Sequence, residues 1–167
     1  MRRAEPEDID GGDGAHIAAF LDFYRETAVA KVGSLDEARQ RESFVPTGWN
    51  PLALLHHLAC MEQRWFVWGF LAEDVGDPWR DAGSGDAWVV PEGVGLEEIS
   101  QQLRATGRRT SQALWTEPLD TVAAVGGRFE EDAPPLRWIG LHVLQEYARH
   151  VGHLDVAIEI AGGPVGE

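Results

Sequence analysis

Within the stretch LQEYARHVGH, Glu146, His150 and His153 stand at spacings of four and three, and His142 lies one further turn upstream. Carboxylate and imidazole groups one helical turn apart can reach a single ion, so metal binding is the first chemistry to consider. On a wheel of about 100° per residue with His142 at zero, His153 falls near 20°, Glu146 near 40° and His150 near 80°. Val143, Leu154, Leu136, Tyr147, Ile158 and Val151 fill the arc from roughly 100° to 180°, and Asp155, Glu159, Gln145 and Arg149 lie beyond it. The polar stripe therefore borders the core. The pattern is not the HExxH of zinc proteases, where the glutamate beside the first histidine is a base. Here the glutamate would itself be a ligand.

Two ligands on one helix do not complete a transition-metal site, so a third must come from elsewhere in the chain. The stretch LLHHLACMEQRWF offers His56 and His57, adjacent and so about 100° apart on a helix. Trp68, Met61, Leu54, Trp65 and Leu58 all fall within about 100° on one side of His57. His57 is thus expected to face inward, and His56 to point the opposite way, near Val67 and Gln63. Glu62 falls inside the same apolar arc, where a lone carboxylate is costly. It is expected either to support the metal ligands from behind or to pair with an arginine. Spacing alone leaves two readings of the trio open, a metal site or a polar seam closed by internal hydrogen bonds. His153 is a candidate substrate contact or supporting donor, and His142, His16 and His56 carry less weight.

The elements that must position these groups read as helices. Ile17, Phe20, Leu21, Tyr24 and Val29 recur at helical spacing over about 14–31. Ser34 followed by Glu37 is a capping-box pattern for a short helical turn. Asn50 then Pro51 marks the start of a second long helix at about 51–73. A third runs from about 96 to 114, with Ile99, Leu103 and Leu114 as core candidates and Glu97 and Glu98 in its first turn. A last helix spans about 136–161 and stops at Gly162, Gly163 and Pro164. Two long loops rich in glycine, proline and acidic residues separate the second helix from the third and the third from the last. Loops of that length are more often functional than idle, and Trp79 and Trp88 in the first could cover the site. The expected fold is all-α, a four-helix bundle, with residues 1–13 loosely ordered and 14–167 forming one domain.

With 28 acidic residues against 14 basic ones, the chain carries a net charge of −14 over 167 residues. Such a surface repels phosphate backbones and anionic lipids, so no nucleic-acid or membrane partner is expected. The single Cys60 permits no internal disulfide and no cysteine-rich zinc knuckle, and is expected to be a packing residue. No apolar run of about 18 residues or secretory signal is present, so a cytoplasmic protein is expected. Gly126-Gly127 reads as a turn and not as a phosphate-binding loop.

The segments TGWNPLALLHHLA, AWVVPEG and LRWIGLHVLQEYARHVGH, taken with the helix order, carry a resemblance. The chain resembles the DinB-like superfamily of helical-bundle metalloproteins, most nearly the actinobacterial-type branch that includes the N-terminal domain of mycothiol-dependent maleylpyruvate isomerase. In that branch the last helix supplies a glutamate and a histidine, as Glu146 and His150 would here. The resemblance implies a divalent metal held by His57, Glu146 and His150. Zinc is expected, although two histidines and a carboxylate also suit iron, and nickel is a further option. It implies a transferase in which the metal activates a low-molecular-weight thiol such as mycothiol for attack on a small electrophile. The isomerase carries an additional C-terminal domain for substrate handling and this sequence ends at Glu167, so the isomerisation itself is not expected. The alternative is a non-catalytic metal-binding bundle that acts through protein–protein contacts. A homodimer is compatible with either reading.

Overall fold

Leu136, Ile139, Val143, Tyr147, Val151, Leu154 and Ile158 recur every three or four residues, and all are buried. That stripe forms the inner face of the longest helix in the computed structural model of the chain, which describes residues 4–7 and 9–165. Among the described residues there are five α-helices: α1 (Asp13–Gly33), α2 (Glu37–Gln40), α3 (Pro51–Glu62), α4 (Leu96–Thr116) and α5 (Leu136–Ile160). Among the described residues there is no strand, only two isolated bridges. The architecture is an all-α helical bundle in which α1 and α3 each pack against both α4 and α5. Leu21, Leu52, Leu54, Leu55, Leu58, Ile99 and Leu103 are fully enclosed between them. Each such side chain contributes about 1.5–3 kcal/mol relative to an exposed one. No helix among the described residues is long and apolar enough to cross a membrane. The loose segment expected at 1–13 lies partly outside the described residues; 4–7 and 9–12 form no helix, and α1 begins at Asp13.

Local chemistry accounts for most of the boundaries. The Asn50 side chain accepts from Ala53 N at 2.9 Å, and Pro51 occupies the first turn of α3, where no N–H is needed. The expected capping box at Ser34 is not formed. Ser34 keeps helical angles (φ −77°, ψ −14°) as the end of α1, so it cannot adopt the extended backbone of an N-cap. The cap of α2 is Asp36, whose side chain accepts from Arg39 N at 2.9 Å.

The second long helix also departs from expectation. Ordinary winding stops at Glu62, and Gln63–Phe70 continues as a π-helix, a rare winding often found at functional sites. It closes with Leu71 N bonded to Phe66 O at 3.0 Å. The carbonyls of Trp68 and Phe70 are left for other partners, and the α4–α5 loop supplies them through Arg128 N (3.1 Å) and Ala124 N (3.0 Å). Gly127 makes this docking possible, because a Cβ there would stand 2.2 Å from Trp68 O and 2.7 Å from Ala72 Cα.

Candidate metal centre

The neighbouring helices α3 and α5 bring His57, Glu146 and His150 together. One donor atom from each lies within 4.8 Å of the others. His150 Nε2 and Glu146 Oε2 are 3.1 Å apart, close to the ~3.4 Å between two donors on a tetrahedral zinc with bonds of about 2.1 Å. His150 is buried, and its Nδ1 has no hydrogen-bond partner among the described residues. Burial, with the neighbouring His57 adding to it, pushes His150 down from 6.5 to about 4. The ring is therefore neutral at pH 7, the form that binds metals. An ion in this pocket would meet two imidazoles and a carboxylate, a donor set that suits a divalent cation.

The first long loop sets the orientation of His57. Its Nδ1 is 2.8 Å from Asp81 Oδ2. Asp81 is itself buried, and the Arg64 guanidinium grips it from the other side, with Nη2 at 3.1 Å from Oδ2. Burial opposes the Asp81 charge, but the bonds from His57 and Arg64 outweigh it and hold the carboxyl at about 2. Asp81 is thus an acceptor, which places the proton of a neutral His57 on Nδ1 and leaves the Nε2 lone pair free. A tight turn reinforces the arrangement: Val89 N donates to Asp81 O at 2.9 Å and Gly83 N to Ala87 O at 2.7 Å. The same turn brings Trp88 flat against His57, with centroids 4.3 Å apart and planes 17° apart. Trp88 also meets the His150 ring edge-on at 5.1 Å. The loop therefore covers one side of the two imidazoles with an indole.

The remaining candidates separate clearly. His56 is more buried than His57, but its Nδ1 bonds Val89 O at 2.7 Å and it is not among the converging donors. His153 is exposed, with its ring 5.7 Å from that of His150, and also lies outside the trio. His142 Nε2 stands 3.7 Å from Glu146 Oε1. Burial pushes His142 below its ordinary value. Cys60 is fully buried, and burial pushes its thiol up to about 11, so it remains a protonated packing group.

Glu62 is the ion-pair partner of Arg25. Arg25 Nε and Nη2 donate to its two oxygens at 2.8 and 2.7 Å, and Tyr147 Oη donates at 2.6 Å. Arg25 also pairs with Asp22. Burial opposes the Arg25 charge, but Glu62 overcomes this and raises the group above its ordinary value. Gly107 of α4 leaves room for the guanidinium, since a Cβ there would meet Arg25 Nε at 2.8 Å. This buried network ties α1, α3 and α5 together, and its α5 member, Tyr147, follows Glu146 in the chain.

Two cavities, of about 380 and 230 Å³, lie away from these residues, against Leu114, Trp115 and Arg137 and against Phe70, Arg109 and Thr116. They contain none of the converging donors. The residue chemistry, not a hollow, marks this site.

Asp81 and Arg64 are the supports that spacing arguments do not assign, whereas Trp88 was expected as a loop residue that could cover the site. Asp81 is one of several acids in a loop, with no periodicity to single it out. The signal for Arg64 was an arginine inside an apolar helix, which needs a buried counter-charge.

An all-α bundle with two imidazoles and a carboxylate converging between two helices defines the class of DinB-like bundles. The chain belongs to the mycothiol S-transferase family, whose model matches residues 16–163. No curated protein is a significant match to the chain. Family membership associates the chain with mycothiol-related transferase chemistry and a thiol substrate.

Proposed function

We propose that this chain is a divalent-metal-dependent thiol S-transferase, with zinc as the metal and mycothiol or a similar small thiol as the nucleophile. His57, Glu146 and His150 are the ligands. The observation that carries the reading is the convergence of these donors, with His57 locked by Asp81 in the tautomer that offers Nε2. Bound there, a divalent ion supplies the Lewis acidity that holds a coordinating thiol as the thiolate at neutral pH.

The protein groups do the rest. Asp81 fixes the ring of His57, and Arg64 fixes Asp81. Trp88 shields one flank from water, which strengthens electrostatic interactions inside. His153, exposed beside His150, is placed to contact a reactant. Three protein donors leave a coordination position for a reactant, whereas a structural zinc site is closed by four. That favours catalysis over a purely structural metal acting through protein contacts.

Purified protein is expected to carry about one divalent ion per chain, as in mononuclear zinc sites. His150→Ala should lose the ion and, with it, conjugation of mycothiol to an electrophile such as monochlorobimane. Native protein that contains no metal, and whose unfolding and spectra do not respond to added zinc, would refute the reading.

A further inference from the structure

The α4–α5 loop brings a cation to the edge of the site that thiol activation does not use. Anchored by its own N–H on Trp68 O, Arg128 lays its guanidinium over Trp65, with the central carbon 4.0 Å from the ring centroid. Trp79 and Trp68 stand at 5.7 and 5.9 Å from the same carbon. Trp65 contacts His142 at 4.3 Å and Trp138 at 5.5 Å, and His142 stacks on Trp138 with planes 6° apart. Since His142 Nε2 lies 3.7 Å from Glu146 Oε1, a continuous run of contacts joins Arg128 to a proposed metal ligand. Trp138 is 48% exposed and Arg128 half-buried, so the run is open to solvent along one side.

The carboxylate this run reaches, Glu146, stands at its far end, beyond His142. Trp79 lies between two guanidinium groups, Arg64 at 4.6 Å and Arg128 at 5.7 Å. Arg64 is paired with Asp81, but among the described residues no carboxylate pairs with Arg128. Burial pushes Arg128 below its ordinary value, and Arg64 pushes it further. In a chain with a net charge of −14, Arg128 rests among three tryptophans and not on an acid. Among the described residues, Arg25, Arg41, Arg64, Arg104, Arg109 and Arg137 each pair with a carboxylate. A guanidinium presents a planar fork that matches a carboxylate, and indole and imidazole faces take a flat carbon skeleton.

We propose that Arg128, with Trp65, Trp138 and His142, binds the carboxylate and planar body of the electrophilic co-substrate, an aromatic or conjugated organic acid. This rests on the thiol-transferase reading: the thiol goes to the metal, so the neighbouring aromatic run falls to its reaction partner. In chemical terms the thiolate sulfur adds to the electron-poor C=C of the conjugated acid. The C–S bond forms as the C=C π bond breaks, and the electron pair passes to the neighbouring carbon. That carbon takes a proton from water in place of the one the thiol gave up, so no group leaves. The acid's own carboxylate stays ionised on Arg128 and takes no part in the transfer.

Benzoate and its neutral isostere benzamide test the site without knowledge of the substrate, with the quenching of tryptophan fluorescence as the readout. Benzoate is expected to bind at least about tenfold more tightly than benzamide at low salt. Arg128→Gln should abolish that preference, and Arg128→Lys should restore only part of it, because the charge returns without the fork. Trp138→Leu, at a half-exposed position, should weaken benzoate binding without disturbing the fold, as followed by circular dichroism. The preference should survive in His150→Ala. Equal binding of the two probes, or a benzoate preference that persists in Arg128→Gln, overturns the proposal. A preference lost in His150→Ala and kept in Arg128→Gln puts the anion on the metal centre and overturns it equally. Metal content, measured on the same preparations, decides the thiol-transferase reading separately.

Discussion

Replacing Asp81 by asparagine tests the site through a residue that touches neither metal nor thiol. The substitution keeps the size and one acceptor oxygen but removes the charge that fixes His57 and answers Arg64. Two losses follow, and they are read by different assays. Asp81 is 2% exposed and is held at about 2 against an ordinary 3.8, so its ionised form contributes about 2 kcal/mol to stability at neutral pH. Leaving Arg64 buried without its carboxylate pushes the cost towards the roughly 3–5 kcal/mol seen when one partner of a buried pair is removed. Stability should therefore fall by about 2–4 kcal/mol in denaturant unfolding of the metal-free protein. Separately, the carboxylate behind a ligating histidine is worth about 10–100-fold in metal affinity, or about 1.4–2.7 kcal/mol. Competition with a chromophoric chelator at pH 7 reads this directly. If Asp81→Asn remains folded and holds zinc within about twofold of the parent, the orientation argument fails, however large the stability loss.

Three further outcomes are expected. Because folding lowers His150 from 6.5 to about 4, the unfolded chain binds the extra proton first as pH falls. Metal-free protein should accordingly lose about 3 kcal/mol between pH 6.5 and pH 4, and His150→Gln should flatten that stretch of the stability–pH curve. The Asp81 contribution has the usual carboxylate sign: it is complete above 3.8 and is lost as pH falls through about 2, so it accounts for acid unfolding at the lower end. Tyr147→Phe removes a donor from the buried Glu62 carboxylate while Arg25 remains, and unfolding should show a loss of about 1.5–3 kcal/mol with metal content unchanged.

Much of this arrangement was readable beforehand. The four long helices follow from apolar recurrence and from caps such as Asn50–Pro51, where side chain and backbone meet within one turn. The neighbourhood of Glu146 and His150 follows from helical spacing alone, and the wheel placed His57 on the side that meets them. The cap at Asp36 was misplaced at Ser34, because whether α1 continues through Ser34 depends on packing and not on the local motif. The π-winding at Gln63–Phe70 was invisible, since the pattern of side chains does not reveal which carbonyl each N–H will choose. That choice is coupled to the α4–α5 loop, whose N–H groups take the freed carbonyls from more than fifty residues away.

The sequence by itself determined the helices, their buried faces and the chemical types available at the site, because periodicity and capping act over a few residues. Only the tertiary structure decided that Asp81 stands behind His57, that Arg25 answers Glu62 and that Arg128 comes to rest on Trp65. Each of those pairings joins residues 24 to 63 positions apart, through loops without periodicity or across the bundle. Which acid meets which base there depends on which groups are buried together, and burial at that range is a property of the packed bundle.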